Sequence, residues 1–232
     1  TDLLTDPETD LQEEDQGHGR QQRLRRKAPQ RKDQLGTDEF DLALKVRGAL
    51  RHFGWERLRP GQVPPMRALL RGRDAVVVLP TGGGKSAVYQ LPGALLGRPT
   101  VVVSPLLALQ TDQLAGLNGR DDDRLTAVRV NSTQTPNQQA AALAAVRDGR
   151  ARFLFVTPEQ LTDPQRLATV RALRPGLVAV DEAHCVSAWG YDFRPDYLPL
   201  GHMIRDLGRP PVVALTATAS PPVRDDIIAA LG

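Results

Sequence analysis

Cysteine is all but missing: Cys185 is the one thiol among 232 residues. That excludes an internal disulfide and a cysteine-rich zinc site within the chain, and makes a reducing cytoplasm the expected setting. Long apolar runs are missing too. None approaches the roughly 18 residues of a membrane span, and the acidic N-terminus is unlike a secretion signal, so no membrane contact is expected. Aromatic residues make up only 4% of the chain, so a cluster of them carries information. Lysine is scarce in a basic set that is nearly all arginine: Lys27, Lys32, Lys45 and Lys85. A lysine that ends a glycine run is then informative, because a compact ammonium suits a tight phosphate cradle better than a wide guanidinium. One glycine is also lacking. The stretch "VVVLPTGGGKS" (76–86) ends like a phosphate-binding loop, yet the general pattern G-x-x-x-x-G-K-[ST] asks for glycine where Leu79 stands.

What remains is an ordinary globular composition, 41% hydrophobic and 25% charged, enough for one large domain with its own core. Residues 1–36 differ from the rest. Charges from Asp2 to Asp15 are all negative, and those from Arg20 to Lys32 are all positive. Such a stretch buries too little apolar surface to offset ordering entropy, so a disordered tail is expected. A solvated tail is the plainer reading; contact between its basic half and nucleic-acid phosphate is the sharper one.

Residues 37–232 read as one α/β domain. Helical spacing runs from Phe40 to Phe53, and "GQVPPMRALLRG" (61–72) reads as a second helix. Short β-branched runs then alternate with helical stretches: 75–80, 100–104, 127–130, 153–157, 177–182 and 212–218. The runs are apolar throughout, as in strands buried on both faces of a mostly parallel sheet with helices on each side. Ligands of such sheets bind at the carboxyl ends of the strands, so the polar residues there are the candidates.

Two strand ends carry recognisable chemistry. After the first, Thr81, Gly82, Gly83 and Gly84 let backbone N–H groups approach an anion, and the helix that follows adds its positive end. Lys85 would neutralise β- and γ-phosphates, and Ser86 would offer a hydroxyl to Mg²⁺. After the fifth, Asp181 would hold the metal and Glu182 would polarise an attacking water. A plain helix cap would explain adjacent carboxylates alone, but not their pairing with a phosphate loop. Next comes a loop with Trp189, Tyr191, Phe193, Arg194 and Tyr197. Taken alone it reads equally as a stacking platform for single-stranded bases or as rings tucked into the core. His52, His202 and Cys185 get structural readings.

Asp181-Glu182-Ala183-His184 is the DEAH form of the second motif of superfamily 2 helicases. Their first motif commonly reads [A/P]-T-G-x-G-K-[ST], without a glycine at the Leu79 position. The likeness narrows to the RecQ family of DNA helicases. "FGWERLRPGQ" (53–62) resembles its adenine-recognition motif, "VVVSPLLALQTDQ" (101–113) motif Ia, and "NSTQT" (131–135) a characteristic stretch. "TPEQL" (157–161) resembles motif Ib, "CVSAWGYDFRPDY" (185–197) the aromatic-rich loop, and "ALTATA" (214–219) motif III. The chain departs from the family at Ala188 and Tyr191, where glutamine and histidine are common, and at Gln160, which is commonly arginine.

The resemblance implies a RecA-like ATP-binding domain that uses ATP and Mg²⁺. Trp55 would stack on adenine, and Arg59 and Gln62 would contact its edge. Lys85, Asp181, Glu182 and His184 would form the catalytic set. Trp189, Tyr191, Phe193 and Arg194 would bind DNA or report its binding. The full enzyme would couple ATP hydrolysis to translocation on single-stranded DNA and to 3'-5' unwinding, with junction DNA among its substrates. It would need a second RecA-like domain, in cis or in trans. No counterpart of that domain, or of the zinc and winged-helix regions, is expected within residues 1–232, so the chain is expected to be incomplete as a motor. The alternative is a non-catalytic module that binds nucleotide and DNA.

Overall fold

Mostly apolar, β-branched runs become the strands β1 (Ala75–Val78), β2 (Thr100–Val103), β3 (Ala127–Val130), β4 (Phe153–Val156), β5 (Leu177–Val180) and β6 (Val212–Thr216), with Arg129 in β3 the one charge among them. The computed structural model describes residues 45–120, 122–190 and 192–232. The charged tail, the start of the helix expected from Phe40, and Tyr191 lie outside the described residues. All strand pairs are parallel, in the order β1-β6-β5-β2-β4-β3.

The helices are α1 (residues 45–52), α2 (Val63–Leu70), α3 (Lys85–Leu95), α4 (Leu107–Asn118), α5 (Pro136–Arg147), α6 (Pro158–Thr162), α7 (Pro164–Ala172), α8 (Leu200–Asp206) and α9 (Pro221–Leu231). They fall on opposite faces of the sheet. The two-residue period of a strand sorts its side chains between two cores. Val101, Val103, Leu154, Val156, Val178 and Val180 pack with residues of α5, α7, α8 and α9. Val102, Phe153, Phe155, Leu177 and Ala179 pack with residues of α1, α2, α3 and α4. Parallel sheets need both faces covered, and here most of the sheet meets that demand.

The exception is β1. Its run is as apolar as the others, yet Val76 and Val78 are 36% and 44% exposed. The expectation that every run is buried on both faces fails at β1, an edge strand paired only with β6, where Val76 lines an open groove with Ile227, Ile228 and Leu231 of α9 instead of packing into the core. Strands also end earlier than the apolar runs suggest. Leu79-Pro80, Ser104, Thr157, Asp181-Glu182 and Ala217-Thr218 leave the ladder and turn into loops at one edge of the sheet. The "NSTQT" stretch makes the turn from β3 to α5. Asn131 accepts from the Thr133 hydroxyl (2.7 Å), and Thr135 caps α5 with Gln138 in a reciprocal capping box.

Candidate functional site

The phosphate-loop candidate leaves β1 at Leu79, whose N–H donates to the Thr216 carbonyl of β6 (3.1 Å). Gly82 and Gly84 have φ of 78° and 80°, conformations that favour glycine. Gly84 is the residue before α3, so Lys85 and Ser86 open that helix, where free N–H groups and the helix dipole favour an anion. The loop is folded on itself: the Gly83 N–H donates to the Pro80 carbonyl (2.8 Å) and the Lys85 ammonium to the Leu79 carbonyl (3.3 Å). An anion entering this loop would have to exchange those two bonds for its own. Thr81 is exposed at the rim.

The adenine-motif residues reach the same loop. Arg59 Nη1 donates to the Gly82 carbonyl, and the buried Gln62 donates through Nε2 to the Gly84 carbonyl (2.8 Å). Gln62 Oε1 accepts the Arg59 N–H (2.7 Å). Trp55 stacks on Phe53, with ring centroids 4.3 Å apart and planes at 18°. Arg120, just past α4, lies 5.5 Å from the Phe53 ring centroid and 5.9 Å from that of Trp55, and donates to the Phe53 carbonyl. A cleft of about 390 Å³ joins Trp55, Arg59 and Gln62 to Gly84 and Ser86. Two sequence motifs thus line one cleft.

The carboxylate pair stands at the end of β5, separated from β1 by β6 alone. Asp181 is buried. Its Oδ1 accepts the Glu182 N–H (3.1 Å), and its Oδ2 accepts from Gln113 Nε2 (3.3 Å). Burial first, and the Glu182 charge second, push the Asp181 carboxyl above the usual carboxylate range; Lys85 acts in the opposite sense. A cation beside Asp181 would relieve that cost. Glu182 sits in the left-handed region at φ 48°, a conformation that costs a non-glycine residue about 1–2 kcal/mol and concentrates at functional sites. His184 Nδ1 lies 3.3 Å from Glu182 Oε2 and 3.0 Å from the Thr216 hydroxyl. Thr216 therefore touches both loops, the first through its carbonyl and the second through its side chain.

The donors at hand are hard oxygens, the Ser86 hydroxyl and the Asp181 carboxylate. Among the described residues no group of three or more His, Cys, Asp or Glu side chains converges. That set suits Mg²⁺, which takes one or two protein oxygens together with phosphate oxygens and water.

The aromatic loop divides. Trp189 is 80% exposed and Phe193 40%, whereas Tyr197 is fully buried and its hydroxyl donates to the Asp181 carbonyl (3.0 Å). The core reading holds for Tyr197, while Trp189 and Phe193 are left exposed, as a stacking platform would require. Arg194 is paired with Asp192 (2.8 Å). The loop is anchored through Ser187, which donates to Asp226 of α9 (2.6 Å) and accepts the Trp189 N–H (3.1 Å). Cys185 is buried, and burial pushes its thiol up to about 11. His52 pairs with Asp122 (2.8 Å), and His202 meets Arg205. Among the described residues the buried hydroxyls of Ser104 and Thr157 have no hydrogen-bond partner.

Tyr89, Arg120 and Asp226 do not stand out in the sequence, and Gln113 appears there only as the last residue of the motif Ia stretch; they reach Gln113, Trp55, Ser187 and Asp181, respectively, across the fold.

The DEAD/DEAH box helicase family matches residues 59–227. A probable ATP-dependent DNA helicase RecS of Bacillus subtilis is 42% identical over 76% of this chain and 35% of its own. The ATP-dependent DNA helicase RecQ of the same organism is 39% identical over 76% of this chain and 30% of its own. The chain thus spans about a third of these relatives' length. Among solved structures, the Mycobacterium smegmatis helicase Lhr bound to single-stranded DNA and AMP-PNP superposes with a TM-score of 0.60 at 25% identity, over 79% of this chain and 25% of that one. A hypothetical ATP-dependent RNA helicase from Sulfolobus tokodaii gives 0.61 at 21% identity, over 81% of this chain and 54% of that one, and shows the fold alone. The chain belongs to the DEAD/DEAH box helicase family, and the curated relatives it resembles there are named as ATP-dependent DNA helicases, RecQ among them.

Proposed function

We propose that this chain is the first, ATP-binding motor domain of a RecQ-type DNA helicase. The observation that carries the reading is the single cleft in which Trp55, Arg59 and Gln62 meet Gly84 and Ser86. It offers an aromatic face, an amide, a glycine-rich anion loop and a hydroxyl in the sequence a purine nucleoside triphosphate presents its parts. Trp55 would flank the base, with its other face held by Phe53. Arg59 and Gln62 would read the base edge while their bonds to the Gly82 and Gly84 carbonyls report its arrival to the loop. Lys85 would carry the phosphate charge. Ser86 and Asp181 would hold Mg²⁺, which supplies charge neutralisation at the transferred phosphoryl group. Glu182 would orient the attacking water, and His184 would tie that carboxylate to Thr216.

Single-stranded DNA would stack on Trp189 and Phe193, with Arg194 beside them. A second RecA-like domain, in cis or in trans, would close over the cleft and bring arginine side chains to the phosphates. Such a finger is worth roughly 10³–10⁵ in rate, so this chain by itself should hydrolyse ATP slowly. With that domain, hydrolysis would drive movement along single-stranded DNA and 3'-5' unwinding, junctions included.

A titration with a fluorescent ATP analogue in Mg²⁺ tests the reading. Lys85→Ala should weaken binding by roughly 10- to 100-fold, the loss of a charge-assisted contact of about 1.5–3 kcal/mol. Equal binding by the variant would remove this site from consideration. Robust duplex unwinding by the chain alone would show that no second domain is needed.

A further inference from the structure

Gln113 lies on α4, outside both nucleotide loops, yet its amide touches two of the elements that build them. Nε2 donates to Asp181 Oδ2 (3.3 Å), and Oε1 accepts from the Tyr89 hydroxyl (3.1 Å). Tyr89 belongs to α3, the helix that Lys85 and Ser86 open, and is completely buried. Its hydroxyl has Ser86 and Gln90 as other polar neighbours.

The orientation of the amide follows from chemistry. An ionised carboxylate only accepts, so the NH₂ end of Gln113 must face Asp181. The carbonyl end then faces Tyr89, and the phenol must donate to it. The chain Tyr89 O–H to Gln113 to Asp181 therefore has one direction and ends on the candidate metal carboxylate. Asp181 Oδ1 is already bound by the Glu182 N–H, so Gln113 is the side chain that fixes the rotation of the carboxylate about its last bond. Partners of this kind hold a metal-binding carboxylate ready for its ion.

We infer that Gln113 is a positioning residue: held by Tyr89, it orients Asp181 for Mg²⁺ and makes α4 a partner of the nucleotide site. The inference rests on the proposed function and adds to it a residue that touches neither the nucleotide nor the metal. It also gives motif Ia, which runs on into α4, a direct contact with the DEAH carboxylate.

The test measures binding of a fluorescent ATP analogue at fixed concentration as Mg²⁺ is raised, and separately in EDTA. Gln113→Met keeps the side-chain volume and removes both polar ends. It should move the Mg²⁺ midpoint up by roughly 10- to 100-fold, while affinity in EDTA stays within about twofold. Tyr89→Phe frees the amide to turn and should shift the midpoint in the same direction by less. Because both act through one amide, the double variant should match Gln113→Met rather than add to it. An unchanged Mg²⁺ midpoint in Gln113→Met overturns the inference. So does an equal loss in EDTA, which would mean general damage to the site. If Gln113→Met does not fold, Tyr89→Phe decides on the same two readouts. Absence of nucleotide binding by the unaltered chain, or its persistence in Lys85→Ala, refutes the proposed function instead.

Discussion

Trp189 and Tyr197 lie in one loop, and the structure predicts opposite consequences for removing them. Trp189 is 80% exposed, so Trp189→Ala takes little apolar surface out of the fold. Surface changes of this kind stay within about 0.5 kcal/mol, a shift of roughly 2 °C or less in a domain this size. If the indole is a platform for bases, the same change removes one stack, worth about 1–3 kcal/mol, so affinity for single-stranded DNA should fall by roughly 5- to 150-fold. Tyr197 is fully buried, and its hydroxyl donates to the Asp181 carbonyl. Tyr197→Phe leaves that buried carbonyl short of a donor, at about 1–3 kcal/mol of stability, and removes no exposed ring. The assay pairs thermal melts with fluorescence anisotropy of a labelled oligothymidine at fixed salt, since phosphate contacts make affinity salt-dependent. Stability should separate from DNA binding along the loop. Equal DNA affinity for Trp189→Ala and the unaltered chain would refute the platform, and a large loss of stability in that variant would refute the exposure argument.

Two further outcomes follow from the candidate nucleotide loops. Gly84→Ala forces a side chain into the left-handed region at about 1–2 kcal/mol and sets its Cβ 2.5 Å from Gln62 Nε2. Displacing that amide strips a buried donor of its partner for about 1–3 kcal/mol more, so the melting temperature should drop by several degrees and nucleotide binding should fail; a melt within about 2 °C of the unaltered chain contradicts this. Asp181 has the reverse of the usual acid-stability sign. Burial raises its folded-state pKa, so the folded chain holds that proton more tightly than the unfolded chain, and stability falls as pH rises from the ordinary carboxylate value of 3.8 through the raised one. Asp181→Asn lacks the titration and has one acceptor oxygen for the two donors, Gln113 Nε2 and the Glu182 N–H. Its stability relative to the unaltered chain in Mg²⁺-free buffer should rise with pH through that window and then level off, whereas a constant difference from acid to neutral pH contradicts the burial argument.

The architecture was legible because short, mostly apolar β-branched runs between helical stretches have few alternatives to a covered parallel strand. The edge position of β1 was not legible, since "AVVV" is as apolar as "TVVV" of β2. Edge or centre is decided by which distant strand pairs where. Glycines, Lys85, Ser86 and Asp181-Glu182 stood out as candidates because phosphate and metal chemistry favours those residue types next to strand ends. Gln113 was visible only as the end of the motif Ia stretch, one of two glutamines on α4; its contacts to Tyr89 and Asp181 are what single it out. The aromatic loop shows both limits. Its composition announced a cluster, but the path of the backbone sent Tyr197 inward and Trp189 out.

Thr216 gives the site a mechanical property. Its backbone oxygen carries the start of the first loop at Leu79, and its hydroxyl carries the second at His184. The two loops hang from opposite sides of one residue in a strand clamped between neighbours. Because both loops are tied to this one residue, a change that displaces Thr216 should reach Leu79 and His184 together.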